Sequence, residues 1–470
     1  MFIGRERELN SLNELYHKNG FRMTVLLGRR RVGKSTLIAE FIRDKRAIYY
    51  TAARVGGERN RELFAGQVLQ VLDPAAASAK FPSTDELFAY MAAKWPEEPL
   101  VLVIDEFPYW AEKDEGLLSI LQKYIDTAWQ NKNMMLILCG SSLSFMEMKV
   151  LSEKSPLFGR RDSQIRLAPF DYRESALFVP DYSPEEKALC YGVTGGVAKY
   201  LSLFDPSLDF GENVKRLFFR PDGYLYDEPR NLLVQEFTEI TMVNNIIEQI
   251  ANGENTLSLI ADKVHESPSA VSYALNRLQE VELVEKRHCI LEEKNKKKIQ
   301  YVLKDGMLRF WYAFIPKAAS LIEMGAGEAY YDRAVAPRLH GFMGPVFEEM
   351  CRRFTLEQGC AGRFGCFLTD AGSWWGMEPA EAGARPRPTD IDVVGISDTD
   401  RALVAGECKF RNEKMDRRAL ETLRKRAALL PARYETQKYL LFSLGGFTAG
   451  LSGENGDRVL TFTLEDLYSR

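Results

Sequence analysis

The segment GRRRVGKST constrains the fold of this chain more than any other feature of its sequence. It follows an apolar run at residues 23–27 and precedes TLIAEFIRD, whose apolar residues recur at helical spacing. Gly28 and Gly33 let the backbone wrap its N–H groups around phosphate oxygens, and the following helix adds the positive end of its dipole. The pattern Gly-x-x-x-x-Gly-Lys-Ser at residues 28–35 therefore predicts a strand, a phosphate-binding loop and a helix, as in P-loop NTPases.

Three side chains at the end of this loop fit ATP and its magnesium ion. Lys34 can reach the β- and γ-phosphates, and the Ser35 hydroxyl can ligate Mg²⁺. Thr36 belongs to the same predicted nucleotide site.

A second apolar run, at residues 100–104, ends in Asp105 and Glu106. If this run is a buried strand of the same sheet, both carboxylates lie beside the phosphate loop. Asp105 would then hold Mg²⁺ through water, and Glu106 would polarise the water that attacks the γ-phosphate. The alternative interpretation of this pair is a helix N-cap.

Two further segments extend the pattern. An apolar run at 134–139 leads to Ser141, which would sense the γ-phosphate from between the other two motifs; an ordinary Gly-Ser turn explains it equally well. Arg160 and Arg161 precede a predicted strand at 164–167, and an arginine there could reach a neighbouring subunit's γ-phosphate as a finger. Surface ion pairing is the alternative for both arginines.

In this order, FIGRERELNSL, GRRRVGKST, VLVIDEFPYW, LILCGSS and PLFGRR resemble the prokaryotic AAA-type ATPases of the STAND-related group. The resemblance covers about the first 235 residues. It implies that Ser141 or Ser142 is the sensor and that Arg160 or Arg161 is the finger, which would make a homo-oligomer the active form.

The resemblance also implies that an opening box caps the nucleotide site. The residues of this box are Phe2, Gly4, Arg5 and Glu6. A later segment, TGGVAKYL at 194–201, resembles the family's second sensor, although Ala198 stands where proline is usual. A phosphate contact by Lys199 is therefore left open, and a helix start after a glycine turn is the alternative.

The middle of the chain has the pattern of a winged helix-turn-helix. Helical spacing recurs in VNNIIEQIANGEN, TLSLIADKVH and AVSYALNRLQEVEL, and two predicted strands then flank a charged tip at 292–298. If this domain binds DNA, the groove-facing side chains would be those of Ser269, Ser272, Tyr273, Asn276 and Arg277. The phosphate contacts would be Lys294, Lys296, Lys297 and Lys298. A protein–protein module with a solvated hairpin end is the alternative.

The last third of the chain carries a second candidate catalytic centre. Predicted strands at 389–397 and 401–410 carry Asp392, then Glu407 and Lys409 on one strand face. The two carboxylates can converge as hard oxygen ligands for Mg²⁺, and Lys409 could orient or deprotonate a water that attacks a phosphodiester. Solvent-facing charges are the alternative, but the strands are rich in apolar residues, and buried charges need partners or a metal.

The order helix, strand, strand, strand with these residues resembles the PD-(D/E)XK nuclease fold, in which Glu348 matches the helix carboxylate and would be a further metal ligand. The whole chain resembles an archaeal and bacterial ATPase joined to a C-terminal domain of unknown function with a nuclease-like fold. Such folds also degenerate into binding modules that do not cut. A basic helix predicted at 416–430 could track a phosphate backbone or simply face solvent.

Composition bounds the remaining possibilities. The formal net charge of −4 means that nucleic-acid contacts must come from local basic patches. Seven scattered cysteines without a Cys-x-x-Cys pair fit free thiols in a reducing cytosol. The charged N-terminus lacks a signal-peptide pattern, and no run approaches the ~20 apolar residues of a membrane span, so we expect a cytoplasmic protein without a membrane partner.

These patterns predict an α/β chain: a P-loop NTPase parallel sheet with a helical lid, a winged helix-turn-helix and a C-terminal α/β restriction-endonuclease-like domain. The predicted parts are an ATPase core at 1–175, a lid at 176–238, the winged helix at 239–305, an aromatic connector at 306–335 and the nuclease-like domain at 336–470. The expected function is an ATPase whose nucleotide state gates a winged helix and a nuclease-like domain acting on DNA. The alternative is an ATP-driven signalling or scaffold switch whose C-terminal domain binds without cutting.

Overall fold

A computed structural model describes residues 2–295, 298–379, 386–452 and 458–469. The chain divides into two compact units, one comprising Met1–Phe170 with Val197–Lys199 and the other comprising Asp171–Gly196 with Tyr200–Arg470. Lys296 and Lys297, two of the predicted phosphate contacts, lie outside the described residues.

The first unit is built on a parallel sheet. Its strands are β1 (Arg22–Leu27), β2 (Ala47–Thr51), β3 (Leu100–Asp105), β4 (Met134–Gly140) and β5 (Ser163–Arg166), in the spatial order β2-β3-β4-β1-β5. The helices are α1 (Glu6–Tyr16), α2 (Lys34–Ile42), α3 (Gly57–Leu72), α4 (Thr84–Lys94), α5 (Phe107–Ala111), α6 (Leu117–Asp126) and α7 (Leu143–Phe145). Each strand pair is parallel, so the predicted α/β architecture with a parallel sheet is confirmed.

The order of the strands decides where the polar residues meet. Every residue of β3 and β4 is buried, as expected for strands covered on both faces. Along β1, Val25 and Leu27 pack in one hydrophobic cluster and Leu26 packs in the other, as alternation requires. Because β1, β3 and β4 are parallel and β4 lies between the other two, their carboxyl ends share one edge of the sheet.

The second unit begins with helices. They are α8 (Tyr172–Ala176), α9 (Pro184–Thr194), α10 (Ala198–Leu201, which starts in the first unit), α11 (Phe210–Phe218) and α12 (Glu228–Glu236). Next come α13 (Ile240–Ala251), α14 (Leu257–Val264), α15 (Pro268–Glu280) and an antiparallel hairpin of β6 (Val284–His288) and β7 (Ile299–Leu303). Ser267 starts α15 because its side chain accepts a hydrogen bond from the Ala270 N–H, and Pro268 suits the first turn.

The C-terminal part of this unit is a mixed sheet flanked by helices. After α16 (Gly306–Phe314), α17 (Ala319–Glu323) and α18 (Gly327–Tyr330), a long helix α19 (Leu339–Cys360) precedes β8 (Asp370–Glu378), β9 (Arg387–Ser397) and β10 (Ala402–Lys409). Then follow α20 (Arg417–Ala427), β11 (Glu435–Ser443), α21 (Ala449–Ser452), β12 (Val459–Thr463) and α22 (Leu464–Tyr468). Strand β9 is antiparallel to both of its neighbours, β8 and β10, and β11 and β12 continue the sheet in parallel from β10.

The tip of the β6–β7 hairpin packs on strand β8. The Ile290 N–H donates to the Ser373 carbonyl at 3.0 Å, and Lys298 Nζ donates to the Trp375 carbonyl at 2.6 Å. Cys289 and Ile290 are buried in the same hydrophobic cluster as the sheet. The hairpin tip therefore covers part of the edge strand β8, which would otherwise be open to solvent. Lys298, predicted to contact phosphates, is hydrogen-bonded to Trp375 instead.

The part of the chain that the structure describes contains no helix with both the length and the apolar character of a membrane span.

Candidate nucleotide site and candidate metal centre

The loop after β1 has the backbone that its glycines predicted. Gly33 has a φ of +95°, and a side chain on Gly28 would lie 2.4 Å from the Leu167 carbonyl oxygen, so glycine is required at both positions. Lys34 Nζ donates to the carbonyls of Gly28 at 2.8 Å and Arg29 at 3.0 Å. The ammonium group thus lies across the mouth of its own loop, where it can exchange a carbonyl for a phosphate oxygen.

Asp105 is held as an anion next to Ser35. Its Oδ2 accepts hydrogen bonds from the Ser35 hydroxyl at 2.8 Å and from the Tyr49 hydroxyl at 2.6 Å. Burial raises the pKa of Asp105, but hydrogen bonds from Cys139, Tyr49 and Ser35 outweigh it and lower the pKa overall. A charged carboxylate beside a hydroxyl is the hard oxygen donor set that Mg²⁺ takes, so these residues fit the ion.

Glu106 and Ser141 are brought together from the ends of β3 and β4. Ser141 donates to Glu106 Oε2 from its hydroxyl at 2.8 Å and from its N–H at 3.3 Å. Glu106 has a φ of +49°, an uncommon backbone conformation for a residue with a side chain. It stands at the N-cap position of α5, yet makes no side-chain cap bond to that helix. Of the two serine candidates for the sensor, Ser141 is the one that contacts Glu106.

Arg5, from the N-terminal segment predicted to cap the nucleotide site, contacts the phosphate loop. Arg5 is buried, and its Nη2 donates to the Ala168 carbonyl at 2.6 Å and the Val32 carbonyl at 3.3 Å. Its guanidinium also lies 3.9 Å from the centre of the Phe170 ring. In the segment at 194–201, predicted to resemble a second sensor, the Lys199 N–H donates to the Arg31 carbonyl at 3.0 Å. Both segments therefore contact the phosphate loop through its backbone.

The two candidate fingers differ in their surroundings. Arg160 donates to both carboxylate oxygens of Asp126, at 2.7 and 2.6 Å, and to the carbonyls of Pro156 and Phe158. The hydrogen bond to Asp126 raises the pKa of Arg160. Arg161 is half-buried and lies in the turn between this pair and β5.

Sequence reasoning missed two tyrosines at this edge of the sheet. Tyr49 on β2 contacts Asp105, and Tyr109 accepts hydrogen bonds from Arg30 at 2.5 Å and Arg54 at 2.9 Å. The signal for Tyr49 was the apolar run AIYYT, which is a strand beside β3 and therefore ends near Asp105. Tyr109 follows the acidic pair within the next helix.

In the second unit, Asp392, Glu407 and Lys409 lie close together on β9 and β10. The Cys408 N–H donates to Asp392 Oδ2 at 2.8 Å, and Lys409 Nζ lies 2.5 Å from Glu407 Oε1. Arg426, from the basic helix α20, reaches Glu407 Oε2 at 3.4 Å and donates to the Asp390 carbonyl at 3.1 Å. The helix predicted to track a phosphate backbone thus contributes one arginine to this cluster.

Glu348 on α19 is linked to strand β9 by Arg352, which contacts both. Arg352 Nη1 lies 3.4 Å from Glu348 Oε2 and donates to the Asp392 carbonyl at 2.9 Å. Burial raises the pKa of Glu348. Burial, followed by the charges of Glu407 and Glu348, raises the pKa of Asp392 to about 7.

The described residues contain no group of three or more His, Cys, Asp or Glu side chains in a metal-holding arrangement. Glu348 is therefore not part of such an arrangement with Asp392 and Glu407. It pairs with Arg352, and Glu407 pairs with Lys409 and Arg426. Asp392 and Glu407 remain a buried, mutually repelling pair, which a divalent cation would neutralise. These two residues fit a metal ion better than the trio does.

Two parts of the chain match families of known proteins. Residues 2–204 match ATPase domains found predominantly in Archaea, and residues 311–420 match archaeal and bacterial proteins of unknown function. An uncharacterised protein of Methanocaldococcus jannaschii, MJECL04, is 30% identical over 468 residues, which cover 99% of this chain and 100% of that protein. A second protein of that organism, the uncharacterised ATP-binding protein MJ0423, is 41% identical over 46 residues, covering 10% of this chain and 78% of its own length.

A solved structure has a similar fold over about two thirds of the chain. The Walker-type ATPase paby2304 of Pyrococcus abyssi superposes with a TM-score of 0.52 at 23% identity, covering 66% of this chain and 96% of its own. This likeness is one of fold.

Proposed function

The chain belongs to the family of archaeal-type ATPases that carry a domain of unknown function towards the C-terminus, and we propose that its ATP turnover controls phosphodiester cleavage by that domain. The observation that carries the proposal is the buried Asp392, whose pKa is raised to about 7 beside Glu407. Perturbed carboxylates of this kind cluster at functional sites, because a fold that buries two like charges needs a cation or a proton to offset the cost.

In the ATPase half, each residue has a role that its contacts support. Ser35 and Asp105 would hold Mg²⁺, which when bound neutralises the phosphate charge. Lys34 would move from its loop carbonyls to the β- and γ-phosphates. Glu106 would polarise the attacking water, with Ser141 fixing the direction of its carboxylate.

In the C-terminal half, Asp392 and Glu407 would hold a divalent cation, which when bound polarises the scissile phosphate. Lys409, beside Glu407, would orient the attacking water and carry a proton at Nζ. The antiparallel β8–β9–β10 with β11 parallel to β10, flanked by α19 and α20, supports the PD-(D/E)XK interpretation.

The helices α13 to α15 would bind the nucleic acid. Tyr273 on α15 is 69% exposed, and Ser269 and Asn276 share its exposed side, which suits a helix that enters a groove. Because the hairpin tip packs on β8, recognition would rest on α15 more than on the hairpin lysines. These contacts support a winged helix whose wing, the β6–β7 hairpin, packs against β8.

Covalent continuity offers a route for coupling. Residues Val197–Lys199 belong to the first unit, and the chain on both sides of them belongs to the second. The Lys199 N–H bonds to the Arg31 carbonyl in the phosphate loop. A change in the loop on ATP binding would therefore pull on α9 and on the chain that follows Lys199.

The test is metal-dependent cleavage of single- and double-stranded nucleic acid, with and without ATP. The variant Asp392→Asn with Glu407→Gln should lose cleavage and keep ATP turnover, whereas Glu421→Gln, an exposed change on α20, should alter neither. Glu106→Gln should bind ATP without turnover, and Lys34→Ala should not bind ATP. Equal cleavage by the parent and the double variant would refute the proposal.

A second candidate function has its own observation. Lys409 and Arg426 already neutralise Glu407, and Arg352 already pairs with Glu348, which suits a domain that binds without cutting. The chain would then be an ATP-driven switch or scaffold. ATP-dependent nucleic-acid or protein binding, with no cleavage at any Mg²⁺ or Mn²⁺ concentration, would favour this candidate.

A further inference from the structure

A cavity of about 380 Å³ lies within the second unit, between β6, α19 and the helices α8 and α9. Its volume falls within the range of about 300–1,000 Å³ that small-molecule sites have. Its polar lining includes Tyr172, Tyr191, Arg287, Glu349, Arg352 and Arg353. The cavity adjoins the Asp392 cluster through Arg352, but none of its side chains acts in the chemistry proposed above.

Two arginines line this cavity from different elements, Arg287 from β6 and Arg352 from α19. Arg287 Nη2 lies 3.8 Å from Glu285 Oε1, which is too far for a hydrogen bond. Burial, followed by the charge of Arg352, lowers the pKa of Arg287. The charges of Glu285, Glu349 and Glu348 act in the opposite direction and do not offset this lowering. The two guanidinium groups therefore repel each other in a partly enclosed space, and an anion bound by both would remove that repulsion.

Arg352 is held by short contacts and Arg287 is not, so Arg287 can turn towards a ligand that Arg352 already faces. Arg352 is fixed by its contacts with Glu348 and the Asp392 carbonyl. Arg353 is likewise committed, since it donates to Asp171 at 2.7 Å and Glu357 at 3.0 Å. Arg287 has no such short carboxylate contact to break, because its distance to Glu285 is 3.8 Å.

The geometry points to a nucleotide phosphate as the ligand of this cavity, and we propose that Arg287 and Arg352 bind its phosphoryl group while the nucleoside lies against Tyr191 and Glu349. A phosphate monoester has three terminal oxygens and can serve two guanidinium forks, whereas one carboxylate satisfies only one fork. The tyrosine ring offers an apolar face, and Glu349 offers an acceptor for base N–H groups.

Calorimetric titration of the full-length Lys34→Ala chain in EDTA tests this site. Lys34→Ala removes phosphate binding at the loop, and EDTA removes metal-bridged binding at Asp392 and Glu407. The probes are the 5′-monophosphates of adenosine, guanosine, cytidine and uridine, their nucleosides, and tetranucleotides with a 5′-phosphate or a 5′-hydroxyl. At least one phosphorylated probe should bind, and its unphosphorylated partner should not.

A matched pair of variants locates the binding. Adding Arg287→Gln should weaken it at least about tenfold, because one charge-assisted fork is lost. Adding Lys286→Gln should leave it unchanged, since Lys286 is exposed on the other face of the same strand. Arg287→Lys, which keeps the charge without the fork, covers the case in which the glutamine variant fails to fold, and it should also weaken binding.

The probes also separate two sources of the phosphate. Binding of a monophosphate indicates a free nucleotide, and binding of the phosphorylated tetranucleotide alone indicates a strand end; both support the site. Absence of binding by every phosphorylated probe, equal binding of unphosphorylated partners, or full affinity in the Arg287 variants would overturn it.

Discussion

Ser141 donates both its hydroxyl, at 2.8 Å, and its backbone N–H, at 3.3 Å, to the same oxygen of Glu106. The two residues are 35 positions apart in the chain and meet because β3 and β4 are parallel neighbours. This hydrogen-bonded pair links Glu106, proposed to polarise the attacking water, to Ser141, proposed as the sensor of the γ-phosphate. It also fixes the carboxylate of a residue whose backbone has positive φ.

The first prediction concerns this pair. In Ser141→Ala the N–H contact remains and the hydroxyl contact is lost, so Glu106 is directed less well. Steady-state ATPase assays should show kcat reduced by about tenfold, which corresponds to the net value of one hydrogen bond to a charged group, with KM unchanged. A rise in kcat would mean instead that Ser141 restrains Glu106.

The second prediction concerns Tyr49, whose hydroxyl lies 2.6 Å from Asp105 Oδ2. Tyr49→Phe removes a donor to the anion and raises the pKa of Asp105. The Mg²⁺ concentration for half-maximal turnover should rise severalfold, because Asp105 loses the donor that orients its Oδ2 beside Ser35. Tyr50→Phe is the control, since the Tyr50 hydroxyl bonds to Asn60; the same Mg²⁺ shift in both variants would rule out the assigned role.

The third prediction separates the two finger candidates. Arg160 is clamped by Asp126, so Arg161 is the arginine left to reach a neighbouring subunit. Arg161→Ala should lower kcat by at least about a hundredfold, whereas Arg160→Ala should cost about 1 kcal/mol of stability or less. Mixing Arg161→Ala with Lys34→Ala should restore part of the turnover, because each supplies what the other lacks. No restoration in the mixture, with both variants folded, would speak against a finger acting between subunits.

The fourth prediction follows from the raised pKa of Asp392. A carboxyl group whose pKa is about 7 in the folded chain and 3.8 as its ordinary value binds its proton more tightly when folded. Its stabilising contribution is therefore full below pH 3.8 and is lost as the pH rises through about 7.

In EDTA, the Tm of the parent should consequently fall between pH 5 and pH 8. Asp392→Asn keeps an acceptor for the Cys408 N–H and removes the charge, so its Tm should exceed that of the parent by at least about 2 °C at pH 8, and by less at pH 5. Added Mg²⁺ should raise the parent's Tm at pH 8 without raising the variant's. Parallel Tm profiles for the two chains would contradict the coupling.

The nucleotide site was predictable because its determinants are local. The motif residues lie within eight consecutive positions, 28–35. The apolar run before Asp105 predicts a buried strand by itself. Four strands of the parallel sheet, β1, β3, β4 and β5, follow from such runs alternating with helical segments, whereas β2 was not among the predicted strands. Residues that act from a distance, such as Tyr49 on Asp105, were not predictable, since strand order decides which side chains converge.

The C-terminal cluster divides in the same way. Alternation along β10 placed Glu407 and Lys409 on one face, and their Lys–Glu contact agrees with that placement. The approach of Arg426 to Glu407 depends on how α20 packs on the sheet, and no local pattern encodes it. The pairing of Arg352 with Glu348 is local, because the two residues are four positions apart on α19. The three predicted carboxylates therefore have different partners: Glu407 pairs with Lys409 and Arg426, and Glu348 pairs with Arg352.

By itself, then, the sequence of the phosphate loop determined a nucleotide site, because hydrogen bonding and φ preferences over a few adjacent residues decide it. Tertiary structure alone decided that Ser141 contacts Glu106, that the hairpin tip packs on β8, and that Arg287 and Arg352 line the same cavity. Those outcomes depend on the burial of side chains far apart in the chain, and they are fixed only when strands and helices pack into a common core.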